Sequence, residues 1–244
     1  MKKSLLILTG HSKGLGRAIL DAYLQKDEFE IIAISRTKLG LDNSNLTEIS
    51  IDFGDLEVLE NELASLFPRG DYKQVLLINN AGWIGEIKPI GSLQFKKMRT
   101  QININLLAPM YLTNAFVSTY KDSEARKIIC NISSGAASKP MEGWGVYCSS
   151  KAAIAMFTNV AAKENTDGKF RFFSVAPGII DTQMQDEIRQ ADGMDFPQVE
   201  RFKGYKENGD LSTPESVAAK ISYLLENENK FHEVIQDVRN FDLP

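Results

Sequence analysis

Seven short apolar runs punctuate the chain: Leu5 to Thr9, Ile31 to Ser35, Leu46 to Ile51, Val75 to Asn79, Lys127 to Ile132, Phe170 to Ala176 and Glu233 to Asp237. Most lack the strict apolar–polar alternation of a half-exposed strand, so they read as strands buried on both faces. Between them, Leu15 to Gln25, Leu56 to Phe67, Phe95 to Tyr120, Val146 to Glu164 and Pro214 to Glu226 repeat their apolar residues at helical spacing. Regular alternation of strand and helix predicts an α/β protein, a doubly wound parallel sheet of about seven strands with helices on both faces, as a single domain over residues 1–244. Only residues 178–213 break the rhythm. That polar stretch, with Asp186, Arg189, Asp192 and Glu200, follows the carboxyl end of a strand, where such sheets bind ligands. It reads as a substrate lid; the alternative is a surface excursion.

Composition narrows the classes. With 244 residues, 43% apolar, 25% charged, 8 Pro and 17 Gly, the chain can bury about 70–75% of its unfolded surface, which excludes disorder and fibres. Its 28 basic and 32 acidic residues leave a net charge of -4, without the field that draws a protein to nucleic acid or anionic lipid. A small-molecule partner is expected instead. Lys2 and Lys3 before Leu5 to Leu8 mimic a signal peptide, but the apolar run stops at Thr9-Gly10, and no other run approaches membrane length. Cys130 and Cys148 form no CxxC pair and two histidines build no zinc site alone, so the expectation is a reduced, cytoplasmic, metal-free protein.

Directly after the first strand comes Thr9-Gly10-His11-Ser12-Lys13-Gly14-Leu15-Gly16-Arg17, with the helical pattern starting near Leu15. Glycines there let the backbone turn tightly and bring free N–H groups and the positive end of a helix to a pyrophosphate. The alternative is a plain tight turn. Arg36, at the end of the second strand, stands where an NAD enzyme would carry an acid for the ribose 2′-hydroxyl. A guanidinium grips a 2′-phosphate instead, and Lys13 adds a second cation, so NADPH is expected over NADH; otherwise both are solvated surface charges. Asp52-Phe53 could hold the adenine edge, and Asn80-Ala81-Gly82 lets backbone approach the adenosine ribose, unless it is an ordinary Asn/Gly turn.

Tyr147 and Lys151 are four apart on one predicted helix and share a face. A nearby ammonium favours phenolate and moves a tyrosine from about 10 toward the working range of a proton donor. Ser134, thirteen residues earlier, is joined to Tyr147 by a loop with Gly135, Pro140, Gly143 and Gly145 that can fold its hydroxyl beside the phenol. Asn105 falls inside an apolar helical segment, an unfavourable site unless its amide is used, for chemistry or on a neighbouring carbonyl.

These residues, with Pro177-Gly178, occur in the order and spacing of the short-chain dehydrogenase/reductases of the single-domain, Rossmann-type form, over nearly the whole chain. The resemblance implies that Tyr147 donates the proton and Ser134 orients the carbonyl. It implies that Lys151 holds the nicotinamide ribose and lowers the Tyr147 pKa, and that Asn105 supports a water that resupplies protons. Ile180 and Thr182 would bind the carboxamide. Gly143 to Cys148, Pro177 to Gln185, and Glu200-Arg201-Phe202 through Gly209 to Pro214 are similar to the sepiapterin reductase group, most of all its bacterial benzil reductase branch. Members reduce one carbonyl of a vicinal dicarbonyl or related α-substituted ketone with NADPH. Pterin-reducing members anchor the pterin on a carboxylate near the C-terminus; Asp237 is the best match and Asp242 the substitute.

The expected reaction is hydride transfer from NADPH to a carbonyl carbon while Tyr147 protonates the alkoxide, giving a secondary alcohol. Trp83, Trp144, Met184 and Phe202 are candidates for an aromatic, adaptable pocket, with Gly178 at its border. Rival readings are oxidation of a sugar or steroid alcohol on the same scaffold, an NADPH-sensing module, and a structural interaction protein. The resemblance also implies a homodimer or homotetramer pairing through helices 95–120 and 146–164; the alternative is that these helices bury their apolar faces on their own sheet.

Overall fold

The computed structural model describes residues 2–243. Strands β1 (Ser4–Thr9), β2 (Phe29–Ser35), β3 (Leu46–Ser50), β4 (Gln74–Asn79), β5 (Arg126–Ile132), β6 (Phe170–Ala176) and β7 (Ile235–Asp237) pair in the order β3-β2-β1-β4-β5-β6-β7. Every pair is parallel. All carboxyl ends therefore lie on one edge, and the order reverses between β1 and β4, which opens a crevice there.

Helices α1 (Gly14–Leu24), α2 (Leu56–Glu62), α3 (Phe95–Ile102), α4 (Ala108–Tyr120), α5 (Gly145–Glu164), α6 (Gln183–Arg189), α7 (Val199–Glu207) and α8 (Pro214–Glu226) complete the fold. Strand periodicity divides the interior in two. Leu6 and Leu8 join Ile19 of α1 and Ile221 of α8, whereas Leu5 and Ile7 join Leu59 of α2, Phe116 of α4 and Ala161 of α5. Each fully buried side chain of this kind contributes about 1.5–3 kcal/mol, and a one-residue slip of β1 would exchange its two faces, so the register is strongly determined. At the sheet's centre a polar chain seats α5: Asn79 Nδ2 donates to Asn131 Oδ1 (2.8 Å), Asn131 Nδ2 to Thr158 Oγ1 (2.9 Å), and Thr158 Oγ1 to the Ile154 carbonyl (2.7 Å).

Three departures from the sequence reading have local causes. The helix expected over 95–120 is interrupted by one π turn, Asn103–Leu107, where the Ala108 N–H reaches back five residues to the Asn103 carbonyl. Pro109 follows and has no N–H to offer the Asn105 carbonyl, so the ordinary ladder cannot close there. Helix α2 ends at Glu62, yet Leu66 and Phe67 stay buried in the same core without helical backbone. Residues 178–213 form two helices, α6 and α7, whose flanking segments are tied by Asp181 N–H to Ser212 O (2.9 Å) and Ser212 N–H to Ile179 O (3.0 Å). Ile188, Phe196, Val199 and Phe202 of this insert pack with Trp144 and Tyr147 in a third apolar cluster. Helix α8 starts as its sequence dictates: Thr213 Oγ1 accepts the Ser216 N–H (3.2 Å) and Pro214 occupies the first turn. Among the described residues no helix is long and apolar enough to cross a membrane.

Candidate active site

The crevice begins at the turn after β1. Gly10 adopts φ 71°, and a Cβ on Gly16 would sit 2.0 Å from the Gly10 carbonyl oxygen, so neither place admits a side chain without distortion. Asn80 Nδ2 donates to the carbonyls of Thr9 and Gly10 (3.1 Å each), while Thr9 Oγ1 accepts the N–H groups of Asn80 and Ala81 (3.0 Å each). The tips of β1 and β4 are thereby cross-braced. Lys13, the residue preceding α1, makes no side-chain cap, which leaves the first-turn N–H groups for another acceptor.

A cleft of about 510 Å³ runs from here along the carboxyl edge. It is lined by Gly10, Ser12, Lys13, Gly14, Leu15, Gly16, Arg36, Asp52, Phe53, Asn80, Ala81, Gly82, Tyr147, Lys151, Pro177, Ile180 and Thr182. Those are all the cofactor residues expected from sequence except Gly178. That glycine makes the turn after β6 at φ 77°, where an added Cβ would lie 3.6 Å from the aliphatic stem of Arg239. The dimensions, the glycine cradle and the uncapped helix end suit an extended dinucleotide with its pyrophosphate on α1. Arg36 is exposed at the cleft, with its carbonyl held by Ser50 Oγ (2.9 Å). Lys13 Nζ donates to Gln183 Oε1 (2.7 Å), joining the glycine turn to the start of α6 across 170 residues.

At the other end, Tyr147 and Lys151 are both buried on α5. Lys151 Nζ donates to the Ile132 carbonyl (2.8 Å) and stands 5.8 Å from the Tyr147 ring centre. Burial lowers its pKa from 10.5 to about 8. The Tyr147 pKa moves opposite to the lowering expected from Lys151. Burial pushes the phenol up to about 12, and the counteracting influence is the Ser134 hydroxyl. Ser134 starts a single 3-10 turn and its Oγ accepts the Ala136 N–H (3.1 Å). Asn105 occupies the π turn, where Oδ1 accepts the Trp83 N–H (2.9 Å) and Nδ2 donates to the Trp83 carbonyl (2.8 Å) and to Ser150 Oγ (3.3 Å). A Cβ on Gly82 would lie 3.6 Å from Lys151 Nζ and 3.8 Å from Asn105 Oδ1, so these groups meet at one point of the edge.

The candidate substrate residues divide. Trp83 and Met184 line the cleft. Trp144 does not: it stacks on Phe196 (5.3 Å between centres, 13°) and meets Tyr147 edge-on (5.5 Å, 78°), with Phe202 tilted against it, because this wall is packed as core. Asp237 also lies outside the lining. Arg239 takes both of its oxygens (2.9 and 2.5 Å) and holds its pKa below the usual carboxylate range, while Asp242 is exposed. Ser35, Thr37, Thr100, Ile104, Gln183 and Glu187 line the cleft without having been singled out from sequence. Ser35 and Thr37 flank Arg36 and Gln183 follows Thr182, which was an available signal; Thr100 and Ile104 arrive only through tertiary packing.

The chain belongs to the short chain dehydrogenase family, whose model matches residues 4–193. Membership makes it an oxidoreductase of CH–OH and C=O groups that works with a nicotinamide cofactor. It is 37% identical to the benzil reductase ((S)-benzoin forming) of Bacillus subtilis (strain 168), over 97% of this chain and 99% of that protein. Identity to the benzil reductase ((S)-benzoin forming) of Bacillus cereus is 40%, over 91% and 94%. The sepiapterin reductase of Bos taurus is 29% identical, over 93% and 91%. Among solved structures, the KRED1-Pglu enzyme superimposes with a TM-score of 0.78 at 28% identity, covering 92% of this chain and 95% of that one.

Burial of Lys151 makes a prediction about stability. Below about pH 8 the ammonium is charged in both folded and unfolded chains, and burial costs its full penalty. Between about 8 and 10.5 the unfolded chain still holds the proton that the folded one has released, so stability rises with pH in that window. Urea denaturation at pH 7.5 and pH 10 should show wild type gaining about 2–3 kcal/mol on Lys151→Met. A pH-independent difference contradicts it.

Proposed function

We propose that this protein is an NADPH-dependent carbonyl reductase that converts one carbonyl of a vicinal dicarbonyl, or of a related α-substituted ketone, into a secondary alcohol. The observation that carries the reading is the meeting of the buried Tyr147 phenol, the Ser134 hydroxyl and the Lys151 ammonium at one end of a cleft that also holds the glycine turn and Arg36. The reduced nicotinamide, when bound, supplies the hydride. Tyr147 gives its proton to the oxygen on which negative charge develops. The Ser134 hydroxyl, which accepts the Ala136 N–H and faces the Tyr147 phenol, would donate its hydrogen to that same oxygen once substrate is bound. Lys151 spends one of its three hydrogens on Ile132, leaving two for ribose hydroxyls. Asn105 fixes the Trp83 backbone at the cleft with its amide, and its support of a water that resupplies protons is part of the proposal.

The dicarbonyl class rests on similarity to the two Bacillus benzil reductases and on the apolar wall of Trp83 and Met184, backed by Trp144. Helices α6 and α7 act as the substrate lid over the Tyr147 end. In an assay of NADPH oxidation, benzil, 1-phenyl-1,2-propanedione or sepiapterin should turn over at least about tenfold faster than simple aldehydes. Tyr147→Phe should lose about 10²–10⁴-fold in rate while still binding NADPH. Equal rates on all carbonyls would remove the substrate class, and an active Tyr147→Phe the mechanism.

Arg36 carries the cofactor preference. Replacing Arg36 by Asp should weaken NADPH binding by about 10- to 100-fold, the value of a charge-assisted contact, and NADH binding far less. Equal losses for the two cofactors in fluorescence titration would refute this assignment.

We also propose a homodimer or homotetramer paired through the helix over 95–120 and α5, since Met156 and Val160, one turn apart on α5, are 63% and 46% exposed. Light scattering should find a dimer or larger for wild type and a shift toward monomer for Met156→Glu with Val160→Glu; a monomeric wild type ends the idea.

A further inference from the structure

His11 lies in the glycine turn, wholly buried, with Nε2 2.7 Å from Glu48 Oε1; Nδ1 has no hydrogen-bond partner among the described residues. Glu48 stands on β3, its side chain 8% exposed. It also gathers three consecutive backbone donors: the Leu39 N–H on Oε1 (2.7 Å), and those of Gly40 (2.7 Å) and Leu41 (3.3 Å) on Oε2. Residues 39–41 belong to the connection from β2 to β3, the segment that carries Arg36 at the cleft. One carboxylate thus joins the turn built for a pyrophosphate to the segment that presents the guanidinium.

We propose that Glu48 is a positioning residue for cofactor choice: by clamping the 39–41 backbone to His11 it holds Arg36 at the distance from the glycine turn that a 2′-phosphate requires. The inference rests on the NADPH reading of Arg36. Its physical basis is preorganisation. The Arg36 side chain is exposed, so its reach depends on where the backbone is held, and a segment already ordered spares the ordering cost on binding. Only an ionised carboxylate fits, because it accepts at both oxygens; a glutamine at the same place would turn an NH₂ toward backbone donors. The charge state agrees: burial alone would raise the Glu48 pKa, yet the backbone donors and His11 bring it down to about 2. Nothing in this clamp touches Tyr147, Ser134 or Lys151.

The test compares wild type, Glu48→Gln and His11→Gln. Readouts are dissociation constants for NADPH, NADH, 2′-AMP and 5′-AMP, steady-state kinetics with benzil, and Tm. Expected for Glu48→Gln is a roughly tenfold rise in the dissociation constants of NADPH and 2′-AMP and in the KM for NADPH. NADH, 5′-AMP and kcat at saturating NADPH should stay within about twofold. Should Glu48→Gln not fold, His11→Gln, which leaves the 39–41 contacts in place, should give a smaller loss of the same selectivity. A purely structural role would lower Tm and weaken both dinucleotides alike; that result, or unchanged selectivity in both variants, overturns the proposal while NADPH preference in wild type stands. Equal binding of the two dinucleotides by wild type would instead remove the NADPH reading, and this inference with it.

Discussion

No side chain can exist at the place where α1 crosses the end of β1. The Cα of Gly16 comes so close to the Gly10 carbonyl that an added methyl group would overlap it, and the Asn80 amide fills what space remains. This contact sets the angle at which α1 leaves the sheet, and hence the direction in which its first-turn N–H groups point. Thr9 and Asn80 transmit the constraint from β1 to β4, the two strands between which the strand order reverses. Everything else in the cleft is placed relative to that brace.

The Tyr147 end of the cleft depends on a different device. Asn79, Asn131 and Thr158 form a buried relay of amides and a hydroxyl that ties α5 to the middle of the sheet. Buried polar groups of this kind are costly when unpaired, so the relay tolerates little sliding of the helix. Lys151 is fixed further by the Ile132 carbonyl, and the Tyr147 ring by Trp144 and its stack on Phe196. The result is a phenol and an ammonium held at fixed places on the cleft wall, both largely shielded from water.

The architecture was readable because two-face burial leaves uninterrupted apolar runs, and the order of strand and helix then allows few topologies. That the glycine turn, Arg36, Tyr147 and Lys151 would line one cleft could be read because each is local or lies at a strand end. What escaped the reading was non-local. The burial of Tyr147 depends on apolar side chains of α6, α7 and the segment between them, and no pattern within α5 encodes that. Trp144 read as a ligand contact because an indole near a site looks available; only Phe196, 52 positions later, commits it to a stack. Asp237 likewise looked free until Arg239 folded back on it. Helices α6 and α7 were hidden by a polar composition whose few apolar residues serve one small cluster.

The π turn at Asn103–Leu107 has a developmental meaning for the helix that contains it. A single wide turn amounts to one surplus residue in an otherwise regular rod, which rotates everything beyond it by about 100° relative to a continuous α-helix. Excising one residue there would leave both halves helical and their hydrophobic stripes misaligned, and the amide now locked onto Trp83 would swing off the crevice. The irregularity is therefore how one rod can face two neighbours at once, its first half toward the mouth of the crevice and its second toward the sheet.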